Sequence, residues 1–454
     1  MKHMTLQNIA RAVSGQLFLP DNYIEEGKVA QGVVIDNRKV EKDFIFVPIK
    51  GARVDGHTFI PDAFEKGAMA VLCDHDLGKT TGPYIVVKET QQALKDLAAF
   101  YREQMDAYVI GIVGSVGKTS TKEMVASVLS RHFSLWKTQG NFNNEIGLPL
   151  TLFGVKEEHQ VAVVEMGISD FGEMDRLGNM AKPDMVIMTN IGLCHLENLI
   201  DRDGVLKAKT EVFAHMPKDG VIVLNGDDDK LQMADTLGRE HHFFGLNGQE
   251  YSATDIVSQL TGVQAKLNGP KWESAVRIPI PGQHNVYNAL AAMVAAEHLG
   301  MSREEILSGI EHAATIDGRN NFIQKNGITV IDDCYNANPV SMRASLEVLS
   351  HASGRTIAVL GDMGELGAEE ASLHYQVGEA VAEFGIDVLF TAGELSKEMI
   401  RAVEAADCAT EVYGFDTKEE MIPQLKALVK EGDTILVKAS HFMDFPKVVE
   451  ALTE

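Results

Sequence analysis

Ala107-Tyr108-Val109-Ile110-Gly111-Ile112-Val113-Gly114-Ser115-Val116-Gly117-Lys118-Thr119-Ser120 is the stretch that decides the fold. Ala107–Val113 is a nearly unbroken apolar run of strand length, and a helical pattern follows over Thr119–Phe133, with Met124, Val125, Val128, Leu129 and Phe133 at helical spacing. Between them lies a glycine-containing loop, Gly114, Ser115, Val116, Gly117, Lys118, Thr119 and Ser120. Glycines let backbone N–H groups turn inward around phosphate oxygens, and the N-terminus of the following helix adds partial positive charge. Lys118 is then placed to reach the β- and γ-phosphates of a nucleoside triphosphate, and the Thr119 hydroxyl to ligate Mg²⁺. The strict pattern has glycine five residues before Gly117, where this chain has Ile112, so the loop is a variant with its upstream glycine missing or shifted.

Outward from this loop, apolar runs of strand length alternate with helical patterns. They include Val161–Glu165, Met185–Met188, Val221–Leu224, Ile328–Ile331, Thr356–Leu360, Val388–Phe390 and Ile435–Val437. Such alternation predicts parallel sheets covered by helices on both faces, an α/β fold. Polar groups follow the runs: Glu165, TNIGLCH, NGDDD, DDCYNANP, GDMGEL and KASH. Open parallel sheets bind ligands at that edge. NGDDD itself reads as a solvated turn.

The first hundred residues have short strands broken by charged turns and form a separate small α/β unit, with Gln91–Glu103 as a linking helix. A second boundary falls in the turn-like IDGRNN after the helix Glu304–Ala314. Three domains are expected, over 1–105, 106–315 and 316–454. A length of 454 residues fits two to four domains of about 100–200 residues.

Composition narrows the classes. Hydrophobic residues make up 45% and charged residues 23%, which excludes general disorder. Lys+Arg 41 against Asp+Glu 65 gives a net charge of −24, which argues against nucleic-acid or anionic-membrane partners. Cys73, Cys194, Cys334 and Cys408 form no C-x-x-C pattern, so a zinc knuckle and a disulfide framework are unsupported and a cytoplasmic setting is expected. The N-terminal MKHMTLQNIARAVSG has no apolar leader core, and no run is long enough to span a membrane.

With the phosphate loop, the segment Thr138-Gln139-Gly140-Asn141-Phe142-Asn143-Asn144-Glu145-Ile146-Gly147 resembles the Mur ligases of peptidoglycan synthesis. VVEMG, TNIGLCHLE, KAKTEVF, GQHNVYNALAA, IDDCYNANPVSM and VLGDMGELG follow in that family's order. NFNNEIG and DDCYNANP resemble the branch that adds D-alanyl-D-alanine to UDP-N-acetylmuramoyl-tripeptide. Asn37 and Val116 stand where the family usually has Ser and Asn or Ser, and LVKASH replaces a more usual Lys-Gly-Ser-Arg.

The resemblance implies a small N-terminal uridine-binding domain, a central P-loop ATPase domain and a C-terminal Rossmann-like domain. It also implies an ATP- and Mg²⁺-dependent amide ligase that passes through an acyl phosphate. Both steps put negative charge on phosphoryl or carboxyl oxygens, so the site needs metal and cationic clamps more than nucleophiles. Glu165, at a strand end, suits Mg²⁺ as a hard carboxylate ligand. By resemblance, His195 serves a second metal, Asn288 faces the nucleotide from the helix start bearing His284 and Asn285, and Lys209 occupies the position of a lysine carbamylated by CO₂. Asp332, Tyr335, Asn336 and Asn338 would close over the ribose and the incoming dipeptide, and Arg319 would bind ATP. Asn141, Asn143 and Asn144 offer amide groups to substrate, with turn formation as the structural alternative. Asp36, Arg38 and His57 are candidates for the uridine nucleotide, Arg38 as the natural partner of pyrophosphate. A monomer is expected. The rival readings are a sister ligase adding one amino acid, a folylpolyglutamate-type ligase, and a nucleotide-gated binding protein without catalysis.

Overall fold

A computed structural model describes residues 1–21, 23, 27–51, 53–315 and 318–454. Its strands form three sheets. The first takes β1 (Gln16–Phe18), β2 (Gly32–Val34), β3 (Phe44–Phe46), β4 (Ala70–Cys73) and β5 (Tyr84–Val86) in the order β1-β5-β4-β3-β2. β2 to β5 run parallel and β1 is antiparallel at the edge.

The central sheet begins with β6 (Tyr108–Val113), β7 (Leu135–Lys137), β8 (Val161–Glu165), β9 (Met185–Met188), β10 (Val221–Asn225) and β11 (His241–Gly245). These run parallel in the order β11-β10-β9-β6-β8-β7. β6 sits where the strand order reverses, the crevice at which such sheets take ligands. Beyond β11, β12 (Tyr251–Gln259), β13 (Gly262–Asn268) and β14 (Glu273–Ile278) extend the sheet, with antiparallel pairing from β12 to β14. The sheet is therefore mixed. This extension gives no continuous apolar run because it buries one face only: β13 alternates Val263, Ala265 and Leu267 inward with Gln264 and Lys266 outward.

The third sheet takes β15 (Asn321–Lys325), β16 (Ile328–Asp332), β17 (Thr356–Gly361), β18 (Val388–Ala392), β19 (Glu411–Phe415) and β20 (Thr434–Lys438), in the order β15-β16-β20-β17-β18-β19. All pairs are parallel except β15–β16. The expected boundary in IDGRNN falls on Ile316 and Asp317, outside the described residues, as does Ala52 of GARVDGH.

The helix after the phosphate loop spans Lys118–Leu129 and packs on the helix His284–His298. It ends four residues before Phe133 because Arg131 and His132 bond back three residues, to Val128 and Leu129, which tightens the final turn. The helix Thr90–Arg102 is more than a linker. It packs against the helices Gly147–Phe153 and Glu173–Ala181 of the central domain. Among the described residues, no helix is long and apolar enough to cross a membrane.

Candidate active site

The phosphate loop is shaped by two glycines. Gly114 has φ 154°, and a Cβ there would stand 1.9 Å from Thr189 Oγ1. Gly117 is left-handed at φ 82° and starts the helix. The close backbone approach thus falls on Gly114, which accounts for an isoleucine at 112 inside β6. The loop is tied to the segment after β9: the Val116 N–H donates to Asn190 Oδ1 at 3.0 Å, the Thr189 hydroxyl donates to Val116 O at 2.6 Å, and the Gly192 N–H donates to Ser115 Oγ at 2.9 Å. Lys118 Nζ folds back on Gly114 O at 2.9 Å and Ser115 O at 3.3 Å. Burial pulls its pKa below the usual lysine range, Glu165 opposes this, and the Arg319 guanidinium of the third domain adds to the lowering.

Glu165 ends β8 almost fully buried. The Thr119 hydroxyl donates to its Oε2 at 2.9 Å and Asn143 Nδ2 donates to Oε1 at 2.8 Å. A hydroxyl and a carboxylate converging at a phosphate loop are hard oxygen donors, the set that suits Mg²⁺. Asn144 caps the next helix by accepting from the Ile146 and Gly147 N–H groups, and Asn141 is exposed. Asn288 accepts from the Thr121 hydroxyl at 2.7 Å and donates to Asn285, locking two helices together beside the loop.

A cavity of about 780 Å³ opens from the loop toward the third domain. Ser115, Val116, Gly117, Lys118, Thr119, Ser120, Asn143, Glu165 and Asn288 line it from one side. Arg319, Tyr335, Asn336 and Asn338 line it from the other. Arg319 stacks over the Tyr335 ring at 4.1 Å, which holds the guanidinium extended. Asn338 caps the helix Pro339–Ser350 through the Ser341 N–H.

Asp332 does not line the cavity. It closes β16 and accepts from the Cys334 N–H, while the next residue, Asp333, turns inward. Asp333 pairs with Lys438 at 2.5 Å and accepts from the Ser345 hydroxyl at 2.6 Å. The doubled aspartate in DDCYNANP did not say which one faces the site; strand alternation decides it. Lys438, at the end of β20, and Arg202 also line the cavity and were absent from the sequence-based site; His284, named with Asn288 at its helix start, lines it as well. The signal for Lys438 was a lysine closing an apolar run.

NGDDD is not a solvated turn. Asp227 accepts from the Leu246 N–H and the Tyr287 hydroxyl, and Asp228 from the N–H groups of Ile191, Lys230 and Leu231. These carboxylates fix the floor of the crevice.

His195 and Lys209 lie outside the cavity lining. His195 Nδ1 meets Glu365 Oε2 of the third domain at 2.8 Å. Burial lowers the His195 pKa against the pull of Glu365. Lys209 is 1% exposed, and among the described residues no carboxylate lies at ion-pair distance from it. Burial, then the nearby Lys118 charge, lower its pKa to about 8. In the first domain, Arg38 is exposed and forks onto Asp36, holding that carboxyl at about 2. His57 is held by Asp55.

A phosphate loop at a sheet's switch point, oxygen donors for a hard cation beside it, and cationic groups from a second α/β domain define a nucleotide-using enzyme whose site is completed across a domain boundary. Three family models match successive parts of the chain: the Mur ligase family catalytic domain over residues 29–102, the Mur ligase middle domain over 112–296, and the Mur ligase glutamate ligase domain over 318–441. The chain belongs to the Mur ligase family. It is 36% identical to the UDP-N-acetylmuramoyl-tripeptide--D-alanyl-D-alanine ligase of Bacillus subtilis, covering 99% of this chain and 98% of that one. The crystal structure of MurF from Acinetobacter baumannii superposes with a TM-score of 0.90 at 34% identity, over 99% and 98% of the two chains. The MurF ligase of Thermotoga maritima, solved in complex with ADP, gives 0.83 at 27% identity, over 92% and 96%.

Proposed function

We propose that this chain is an ATP-dependent ligase that joins D-alanyl-D-alanine to the peptide carboxyl of UDP-N-acetylmuramoyl-tripeptide, giving the pentapeptide, ADP and phosphate in peptidoglycan precursor synthesis in the cytoplasm. The observation that carries it is the shared cavity: phosphate loop, Glu165 and the Arg319–Tyr335–Asn338 wall face one volume, large enough for a nucleotide and an acceptor peptide end. The names of full-length relatives support the substrates.

In this reading, residues 1–105 hold the uridine nucleotide, 106–315 hold ATP and 316–454 complete the site. Lys118 and Arg319 clamp phosphate oxygens from opposite domains. Phosphoryl transfer to the tripeptide carboxylate creates an acyl phosphate, and the dipeptide amine displaces phosphate from it. Thr119 and Glu165 would hold Mg²⁺, which would supply neutralisation of phosphate charge. Lys209 suits carbamylation, because burial without a partner carboxylate favours the neutral amine that captures CO₂. Asp333 orients Lys438 toward the same space. Closure of the two domains over bound substrates would exclude water, which would otherwise hydrolyse the acyl phosphate. ADP release, measured with UDP-N-acetylmuramoyl-tripeptide and either D-alanyl-D-alanine or single amino acids, tests the reading. Turnover with a single amino acid alone would select a sister ligase, and ATP binding without turnover would select the non-catalytic rival.

A further inference from the structure

Outside the cavity, the first domain brings two imidazoles and a carboxylate together. His57 lies in the short turn Gly56–Phe59 after β3, and Asp74 and His75 follow β4. One ligand atom from each lies within 4.8 Å of the other two. None of the three lines the cavity.

His57 is oriented in a particular way. Its side chain is 9% exposed, and its Nδ1 lies 2.7 Å from Asp55 Oδ1. The His57 backbone N–H donates to the same oxygen at 3.0 Å. A carboxylate on Nδ1 makes that nitrogen the N–H donor and leaves the Nε2 lone pair as the ligating position, the arrangement that orients histidine toward metals. Nε2 is buried, has no hydrogen-bond partner among the described residues, and stands 3.4 Å from Asp74 Oδ1 out of hydrogen-bond alignment. The buried Nε2 lone pair faces the half-exposed Asp74 carboxylate, and a cation between the two electron-rich atoms would satisfy both. On the open side, His75 Nδ1 reaches Asp74 Oδ1 at 2.6 Å, and its side chain is 58% exposed, so it can turn toward an ion. The two rings lie 5.6 Å apart, tilted by 41°.

We propose that His57, Asp74 and His75 form a site for a divalent first-row transition ion of the zinc class, with Asp55 holding His57 in the ligating tautomer. Two imidazole nitrogens and one carboxylate oxygen suit such an ion, whereas Mg²⁺ requires an oxygen shell. Three protein ligands leave one coordination position for water. The ion ties the turn Gly56–Phe59 to the end of β4; with Nδ1 held by Asp55 and Nε2 on the ion, His57 leaves the set of uridine-nucleotide candidates, and Asp36 and Arg38 remain in it.

The test is titration of the intact chain with Co²⁺, followed by visible absorption, and with Zn²⁺, followed by calorimetry, both in excess Mg²⁺ so that hard-oxygen sites are filled. One saturable equivalent is expected. His75→Ala and Asp74→Asn should each weaken it at least tenfold, and Asp55→Asn by about 10–100-fold, as for other groups that orient a ligating histidine. Because His75 is exposed, its variant should melt like the parent, and a melting curve checks that the chain is folded. Absence of saturable Co²⁺ and Zn²⁺ binding, or parental affinity in both His75→Ala and Asp74→Asn, overturns the site.

Discussion

The two domain boundaries of this chain are built differently. Between the first and central domains the buried apolar core is continuous, running from Leu6, Ile45, Leu72 and Leu97 to Leu148, Leu152, Val164 and Leu177. Arg102 crosses that seam, donating to Ala181 O, Lys182 O and Asp184, and the Tyr101 hydroxyl donates to Val155 O. Between the central and third domains lies the polar cavity, bridged by His195–Glu365. Leu193 and Leu260 are the central-domain side chains that pack on the third-domain core among the described residues. A dry seam resists opening because separation exposes apolar surface. A polar seam with a cavity opens at little cost, and there the candidate chemistry sits.

The largest expected effect separates site from seam. Lys118→Ala should lower ADP release by about 100- to 1,000-fold, as for other lost charge-stabilising contacts. Its melting temperature should stay at the parental value. Near-normal turnover by the folded variant would remove Lys118 from the phosphate clamp.

Next comes Lys209. Lys209→Ala should lose most activity, with partial rescue by acetate or formate, while Lys207→Ala should be mild. The pH direction follows from the lowered pKa. The folded chain releases this proton near pH 8, the unfolded chain near 10.5, so this group adds stability as pH rises between those values. Carbamate formation should also increase as pH approaches and passes about 8. Full activity of Lys209→Ala would exclude a functional carbamate.

Arg102→Ala tests the dry seam. It leaves two carbonyls without their donor and the Asp184 carboxylate without its cation, with only the Val109 N–H still bonded to it among the described residues, and should cost about 3 kcal/mol in urea denaturation. The folded fraction should keep near-parental kcat. Loss of activity without loss of stability would show that this boundary also works in the reaction.

Glu365→Gln probes the polar seam and should have the smallest effect. Glu365 is 66% exposed, so the stability change should stay below about 1 kcal/mol. Small-angle scattering should give a slightly larger radius of gyration for this variant without ligand, and a common, smaller radius for both forms with ATP analogue and uridine substrate. A ligand-independent radius in both would argue against a hinge at this boundary.

Sequence pattern made the fully buried parallel strands legible because they are apolar on both faces: Val161–Glu165 and Met185–Met188 begin and end where expected, whereas the partly exposed parallel strands β7, β11 and β19 were not among those read. The one-sided strands β12 to β14 gave only alternation and passed unread. Local chemistry made Lys118, Thr119 and Glu165 legible, and the structure brings them together. It did not reveal that Asn144 accepts from the Ile146 and Gly147 N–H groups at the start of the next helix, or that Asp333 rather than Asp332 faces the cavity. Those facts depend on which partner a polar group meets.

The sequence by itself determined the α/β class, the phosphate loop, the succession of three domains and the family, since these rest on spacing along the chain and on short contiguous motifs. The tertiary structure alone decided which boundary is sealed and which holds the cavity, and that His57, Asp74 and His75 converge. Such juxtapositions arise from packing between segments distant in the chain, and burial and electrostatic partners are set only once that packing exists.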